Sequence, residues 1–244
     1  MTTTPKDRYF ATPMDRILPF SFNAEVAEVF DDMVTRSVPL YRENQSLCVD
    51  LLSRLLKSGD CVYDLGCSTG AALIQIGGHL KHLDLDLVGL DSSEPMVEKA
   101  RLKMKAFGLK TATIEHADIT TCDIRPCGAV VMNYTLQFLP LEKRLPLLKK
   151  IHQALRPGGV LLLAEKIVTD APELQNLVTD AYYSFKSHNG YSNLEISQKR
   201  EALEDVLIPL SPARQTALLH EAGFGPVEML LRWGPFATFL AVKS

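Results

Sequence analysis

Short apolar runs alternate with helical patterns along most of this 244-residue chain. The apolar runs predict strands at 61–65, 85–91, 112–115, 127–133 and 160–164. Apolar residues at helical spacing lie between them, at about 70–80, 94–107 and 141–155. This alternation predicts an α/β domain, because right-handed strand–helix–strand connections produce a parallel sheet with helices on both faces.

Two further helices are predicted ahead of the first strand. Apolar positions at helical spacing run from 22 to 36, with Asn23 as a suitable N-cap. Pro39 breaks this helix, and a second one begins at Tyr41 and stops before Gly59. A helix in this position either packs on the sheet edge or closes over a bound ligand as a lid.

The last third of the chain departs from the alternation. Residues 169–210 form a helical segment of irregular spacing, which we interpret as an insertion that covers a ligand site. A helix follows at about 212–222, and two strands at 227–232 and 236–242 end the chain. The turn between these strands is too short for a crossover helix, so we expect them to pair antiparallel.

A small-residue loop follows the first strand in the pattern Asp64-x-Gly66-x-Ser68-x-Gly70. The glycines suit a tight turn whose backbone N–H groups approach a ligand. The spacing differs from the GxGxxG of dinucleotide sites, and acid-x-Gly is the form found in domains that bind S-adenosylmethionine (SAM). A strand–helix turn without any ligand is the alternative interpretation.

Polar residues stand at the carboxyl ends of the next strands, where open α/β sheets bind ligands. Asp91 is placed to accept both ribose hydroxyls; its alternative role as an N-cap is already filled by Ser93. Asp118 could accept an adenine amino group while Ile119 covers the ring, or could simply form an Asx-turn. Asn133 ends the most apolar strand and is a further site candidate.

These elements together predict a Rossmann-like class I SAM-methyltransferase fold. The sheet is expected to have seven mostly parallel strands with an antiparallel last strand, and 155–159 (Leu-Arg-Pro-Gly-Gly) is expected to be the tight turn favoured in this fold. We interpret 1–244 as one SAM-binding domain, with a helical N-terminal extension at 1–58 and the insertion at 169–210 before the last hairpin.

Composition excludes several classes of function. Hydrophobic residues make up 46% and charged residues 23%, which is ordinary for a globular domain. The net charge of −3, without a basic stripe, argues against direct nucleic-acid binding. No apolar run approaches the ~20 residues that span a bilayer, and the first residues lack the plan of a signal peptide. Five cysteines, an odd number, favour a reducing, cytoplasmic location; His79 and His82 do not suggest a metal site.

The chain resembles the carboxy-S-adenosyl-L-methionine (carboxy-SAM) synthase family of bacterial tRNA-modifying enzymes. The matching stretches are 26–33, 36–39, 63–68 with 70–71, and 133–139, together with the most specific one, Asn189-Gly190-Tyr191-Ser192 followed by Glu195 to Arg200. The resemblance covers nearly the whole chain. Other methyltransferases share the glycine loop and the Leu-x-Pro-Gly-Gly turn, but not the last motif.

This resemblance implies an unusual reaction of SAM. SAM would be a substrate rather than a methyl donor: its sulfonium acidifies the methyl group, and the resulting ylide captures the CO2 that prephenate loses as its ring aromatises. Phenylpyruvate is the by-product, and carboxy-SAM serves the 5-oxyacetyluridine modification of wobble uridine in tRNA. The resemblance also implies a homodimer; no metal is expected, because the histidines do not cluster with cysteines at metal-ligand spacing. The protein's task would be to hold two ligands together, exclude water and stabilise a carboxylate.

The resemblance implies a set of site residues. The SAM contacts map onto Tyr41, Gly66, Cys67, Ser68, Asp91, Ser92, Asp118, Ile119 and Asn133. Arg200 matches the family's carboxylate-binding arginine, whose guanidinium suits a bidentate pair; a solvated surface charge is the alternative. No residue is marked by spacing as the general base, and Glu165 and Lys166 are weak candidates.

The chain departs from the family at Ser92, at 187–188 and at 233–238, and the last departure bears on the carboxyl donor. Two other functions stay open. One is a SAM-dependent methyltransferase that acts on a small molecule or on tRNA; the other is a SAM-binding module without catalysis.

Overall fold

The computed structural model describes residues 5–244, which form seven strands and eight α-helices. The helices are α1 Ala24–Ser37, α2 Tyr41–Leu55, α3 Ala71–His79, α4 Glu94–Ala106, α5 Leu141–Ala154, α6 Gln175–His188, α7 Asn193–Leu203 and α8 Pro212–Glu221. The strands are β1 Cys61–Leu65, β2 Asp86–Asp91, β3 Ala112–His116, β4 Cys127–Asn133, β5 Leu155–Lys166, β6 Val227–Trp233 and β7 Phe236–Val242. Residues 1–4, with which the expected single domain and its N-terminal extension begin, lie outside the described part.

The strands form one sheet in the order β3-β2-β1-β4-β5-β7-β6. The first five are parallel, and β7 runs antiparallel to both β5 and β6. The prediction of a Rossmann-like class I fold with an antiparallel terminal hairpin is confirmed. In this order the chain reverses direction across the sheet between β1 and β4, so the carboxyl ends of β1 and β4 flank the crevice in which such sheets bind ligands.

The sheet is buried on both faces. One layer of core side chains includes Leu65, Val130, Leu163 and Phe239, and the other includes Val62, Leu87 and Val131. Every residue of β4 from Cys127 to Met132 is buried. This burial explains the continuous apolar runs in the sequence, because a parallel strand covered by helices has no solvent face.

One local prediction is wrong. Residues 155–159 are not a turn ahead of the strand but the first part of β5: Leu155 already pairs with Cys127, and pairing resumes at Val160 with Ala129. The residues between them form a bulge, which Gly158 permits with its φ of +72°. Arg156 fixes the bulge by donating to Asp60 at 2.7 Å and to the Leu55 carbonyl at 3.0 Å.

The segment between β5 and β6 contains α6, α7 and α8, of which α6 and α7 lie in the predicted insertion. Ser192 caps α7 in a reciprocal capping box with Glu195. The N-terminal segment crosses this helix: the Phe20 N–H donates to the Ala202 carbonyl, and the Met14 N–H donates to Gln198. Within residues 5–244, no helix combines the length and apolarity needed to cross a membrane.

Candidate active site

A cavity of about 400 Å³ lies at the carboxyl ends of the parallel strands. It brings together nine of the ten residues that the sequence singles out: Tyr41, Gly66, Cys67, Ser68, Asp91, Ser92, Asp118, Ile119 and Asn133. These residues come from four strand ends and one helix N-terminus, so only the folded sheet makes them neighbours. Arg200 is not among the residues that line the cavity.

The loop after β1 follows the cavity wall with a strained backbone. Gly66 has φ +79°, and Ser68 occupies the same left-handed region with φ +47°. A methyl group at Gly66 would overlap the side chain of Thr135, which lines the cavity beside it. The turn therefore requires glycine at 66 for both its φ and its packing.

The N–H groups of this loop are already used within the protein. Gly66 and Cys67 both donate to the Leu90 carbonyl, at 2.8 and 3.0 Å, and Ser68 donates to Asp91 at 2.8 Å. The expectation that they point at a ligand is wrong for these three residues. Their bonds tie the loop to β2, and the loop's contribution to the site is close backbone approach.

A second set of contacts holds the far side of the loop. Thr69 is 1% exposed and donates to Asp31 of α1 at 2.6 Å. Lys103 of α4 reaches both, at 2.5 Å from Asp31 and 2.9 Å from Thr69. The loop is thereby clamped between the N-terminal helix α1 and the sheet-packing helix α4.

Two carboxylates lie behind the loop. Burial raises the pKa of Asp64 to about 7, and the nearby negative charge of Asp91 adds to the effect. Burial also raises the pKa of Asp91, although its hydrogen bonds from the N–H groups of Ser93 and Ser68 oppose this. Each carboxylate oxygen of Asp91 accepts one hydrogen bond from a backbone N–H, so each keeps a lone pair that can accept a ribose hydroxyl.

Asp118 forms the Asx-turn that was the alternative interpretation of this residue. Its Oδ1 accepts from the backbone N–H and the hydroxyl of Thr120, both at 2.8 Å. The side chain still lines the cavity, beside Ile119, which is 6% exposed. The turn and an adenine contact are compatible, because the turn occupies Oδ1 and a carboxylate has two oxygens.

Asn133 is positioned by residues far away in the sequence. Asn44 of α2 donates to Asn133 Oδ1 at 3.3 Å, and Thr238 of β7 donates to Asn44 at 2.6 Å. Both Asn44 and Thr238 are buried. This hydrogen bond holds the side-chain oxygen of Asn133 toward Asn44.

Aromatic side chains form the outer wall. Phe22 packs edge-to-face on Phe20 and Phe138, with ring centroids 5.2 Å apart in each pair. Phe236, in the hairpin where the chain departs from the family, packs against Tyr134 and Tyr182. The hairpin departure therefore reaches the cavity through one aromatic ring.

The insertion contributes Lys199 to the cavity and turns Arg200 outward. Lys199 is 8% exposed and lines the cavity, whereas Arg200 is exposed. Of the two weak base candidates, Glu165 accepts a hydrogen bond from the Leu136 N–H and does not line the cavity, while Lys166 does. Burial raises the pKa of Glu165 to about 8.

The sequence interpretation missed several residues of the site. Tyr134, Tyr182, Lys199 and Phe236 all line the cavity. Lys199 lies in the most specific motif and could have been named beside Arg200, but Tyr182 carries no motif. Among residues 5–244, no three His, Cys, Asp or Glu side chains are grouped as metal ligands.

Comparison with protein-family models gives a match to a methyltransferase domain over residues 62–159. The chain is 44% identical over 238 residues to the carboxy-S-adenosyl-L-methionine synthase of Nautilia profundicola, covering 98% of this chain and 100% of that protein. It is 46% identical over 243 residues to the protein of the same name from Desulfotalea psychrophila, covering 99% and 98%.

Solved structures resemble the fold at low sequence identity. A putative SAM-dependent methyltransferase from Methanococcus maripaludis has a TM-score of 0.63 at 18% identity, covering 96% of this chain and 97% of that one. A putative O-methyltransferase from Nostoc punctiforme has a TM-score of 0.65 at 15% identity, covering 90% and 59%. At these identities the likeness concerns the fold alone.

Proposed function

We propose a function for this chain from one premise: it belongs to the carboxy-S-adenosyl-L-methionine synthase family. Identities of 44% and 46% over essentially the full length of both chains establish that membership. The protein is accordingly a transferase that makes carboxy-SAM with SAM as substrate. We assign this activity to the cavity because nine of the predicted SAM contacts line it.

We further propose prephenate as the carboxyl donor. The methyl carbon of SAM loses a proton and bonds to the CO2 released by prephenate, and the proton leaves as water with the hydroxyl group lost from the ring. Carboxy-SAM and phenylpyruvate result. Free CO2 must be captured before it escapes, and the aromatic wall around Phe22 suits a site that excludes water.

The direct test supplies purified protein with SAM and prephenate carrying ¹³C in its ring carboxyl group. We expect a labelled product heavier than SAM by one CO2, identified by mass spectrometry, together with unlabelled phenylpyruvate. S-adenosylhomocysteine as the sole nucleoside product would instead support methyl transfer. Bound SAM without any turnover would support a non-catalytic module.

Arg200 is proposed to bind the new carboxylate from a second copy of the chain. Successive residues of a helix point about 100° apart, so Arg200 cannot share the direction of its cavity-facing neighbour Lys199. A homodimer would bring an exposed arginine to the partner's cavity. Within the chain that carries it, the side chain lies outside the cavity.

Subunit mixing tests this arrangement. Arg200→Ala and Asp91→Ala chains, each expected to be inactive alone, are combined after mild dissociation. If Arg200 acts across the dimer, mixed dimers contain one intact site, and activity returns to about a quarter of the original in a random mixture. No recovery, with mixed dimers confirmed by native mass spectrometry, would place Arg200 in its own chain's site or outside the reaction.

The remaining proposals concern context. The product would supply wobble-uridine modification of tRNA in the cytoplasm, and another protein would contact the nucleic acid, as the net charge of −3 suggests. We also propose that 1–244 acts as a single domain whose insertion at 169–210 covers the bound substrates.

A further inference from the structure

Three lysines lie near one another beside the cavity, and two of them, Lys166 and Lys199, line it. Lys166 ends β5, Lys186 lies on α6 and Lys199 lies on α7. The Nζ atoms of Lys166 and Lys186 lie 5.5 and 5.6 Å from the ring centroid of Tyr182. Those of Lys186 and Lys199 lie 5.5 and 5.9 Å from the ring centroid of Tyr191. We call Lys166, Lys186 and Lys199 the lysine cluster.

The lysine cluster lacks the partners that a buried charge requires. Lys186 is 4% and Lys199 8% exposed. Within residues 5–244, none of the three ammonium groups makes a hydrogen bond or an ion pair to a protein group. The ring distances are near the ~6 Å limit for cation–π attraction, whereas Arg36 sits at 4.0 Å over Tyr191. Packing on tyrosine alone therefore does not compensate the cluster.

The carboxylates near the lysine cluster are engaged with other groups. Asp32 is paired with Arg36 at 3.1 Å, and Glu195 is occupied by its capping box. Asp7, which accepts from Tyr191 at 2.6 Å, is the other carboxylate whose charge acts on Lys186. Neither Asp7 nor Glu195 makes an ion pair with the three lysines, although the charges of both act on Lys186. Burial lowers the pKa of Lys186 to about 7 and that of Lys199 to about 8, so an incoming anion would be met by proton uptake.

The topology separates the Lys166 end of the cavity from the ribose end. Asp91 ends β2 and Lys166 ends β5, three strand positions away in the order β2-β1-β4-β5. Strands lie ~4.8 Å apart, so the two ends are roughly 14 Å from each other. The lysine cluster therefore lies beyond the nucleoside, on the side where a second substrate must enter.

We propose that Lys166 and Lys199 bind the carboxylates of the second substrate, a small dicarboxylate, and that Lys186 reinforces them from behind the two tyrosines. This inference rests on the proposed function, in which the donor is the dianion prephenate. It assigns the donor's site to this chain's own cavity and separates that role from the product contact proposed for Arg200. Two unpaired lysines that line the cavity suit a ligand with two carboxylates.

Equilibrium binding tests the inference without turnover. Protein saturated with S-adenosylhomocysteine, which has no methyl group to react, is titrated with prephenate by calorimetry. We expect Lys166→Met and Lys199→Met each to weaken prephenate binding at least about tenfold while SAM affinity stays within about twofold. Methionine is unbranched and only one heavy atom shorter than lysine, so it removes the ammonium group while keeping most of the side-chain packing. Lys149→Met, at an exposed position of α5, is the matched control and should change neither affinity.

Three outcomes decide the matter. Net proton uptake on prephenate binding, measured in buffers of different ionisation enthalpy and reduced in Lys199→Met, supports the inference. Unchanged prephenate affinity in both variants, or a loss of SAM affinity instead, overturns it. Prephenate binding without formation of carboxy-SAM by the unsubstituted protein would refute the proposed donor chemistry and leave the lysine assignment standing.

Discussion

Replacement of Gly66 by alanine probes the turn on which the SAM site depends. Two separate costs are expected. The first is conformational: an alanine at φ +79° costs ~1–2 kcal/mol, offset by ~0.4–1 kcal/mol because alanine restricts the unfolded chain. The second is steric: the new methyl group would overlap three side-chain atoms of Thr135, and forced overpacking of this kind costs ~1–3 kcal/mol.

Gly59 offers a control that isolates the second cost. It has φ +80°, and a methyl group there meets no atom within 4 Å. Gly59→Ala should therefore lose at most about 1.5 kcal/mol of unfolding free energy. Gly66→Ala should lose a further ~1–3 kcal/mol. Because Thr135 lines the cavity, we also expect Gly66→Ala, but not Gly59→Ala, to weaken SAM binding by at least about tenfold.

Urea unfolding gives the stability difference, and calorimetric titration gives the SAM affinity. Gly59 and Gly66 have nearly the same φ but different surroundings, so the difference between the two variants gives the steric cost alone. Equal destabilisation of Gly66→Ala and Gly59→Ala, within about 0.5 kcal/mol, would refute the claim that close packing makes glycine necessary at 66. An unchanged SAM affinity in a destabilised Gly66→Ala would show that the loop tolerates displacement of Thr135.

Three further predictions concern the site and its support. Asp91→Asn should weaken SAM binding by about 10- to 100-fold, because the amide replaces one accepting oxygen by an NH2 group that only donates; calorimetry measures the loss, and an affinity within twofold would contradict the ribose assignment. Asn44→Leu should weaken SAM binding less than Asn133→Ala does, since it removes only the support of Asn133; a larger loss would contradict this order. Burial alone would raise the pKa of Asp60, but the hydrogen bond and charge of Arg156 lower it overall. The ion pair of Asp60 with Arg156 therefore stabilises the fold above about pH 4, and this stabilisation is lost as the pH falls through the lowered pKa of Asp60. The Tm difference between the unsubstituted protein and Asp60→Asn should accordingly vanish in acid.

Local patterns were sufficient for most of the fold. The bounds of β1 and β4 agree with the predicted strands, since buried parallel strands appear in the sequence as nearly continuous apolar runs. The N-caps Asn23 and Ser93 were readable because a cap is made by residues two or three positions apart. The bulge at 155–159 could not be predicted, because the same Pro-Gly-Gly sequence also suits a turn. Only the pairing of Leu155 with Cys127 makes these residues part of the strand.

The site also has features that the sequence predicts and features that depend on tertiary packing. The sequence by itself determined that Gly66, Asp91, Asp118 and Asn133 would meet, because parallel strands place all their carboxyl ends at one edge. Only the tertiary structure decided that Lys199, and not its neighbour Arg200, faces the cavity. The two are adjacent and equally charged, so no local pattern distinguishes them. The packing of α7 against the N-terminal segment and α6 sets its rotation, and that rotation depends on contacts between residues more than a hundred positions apart.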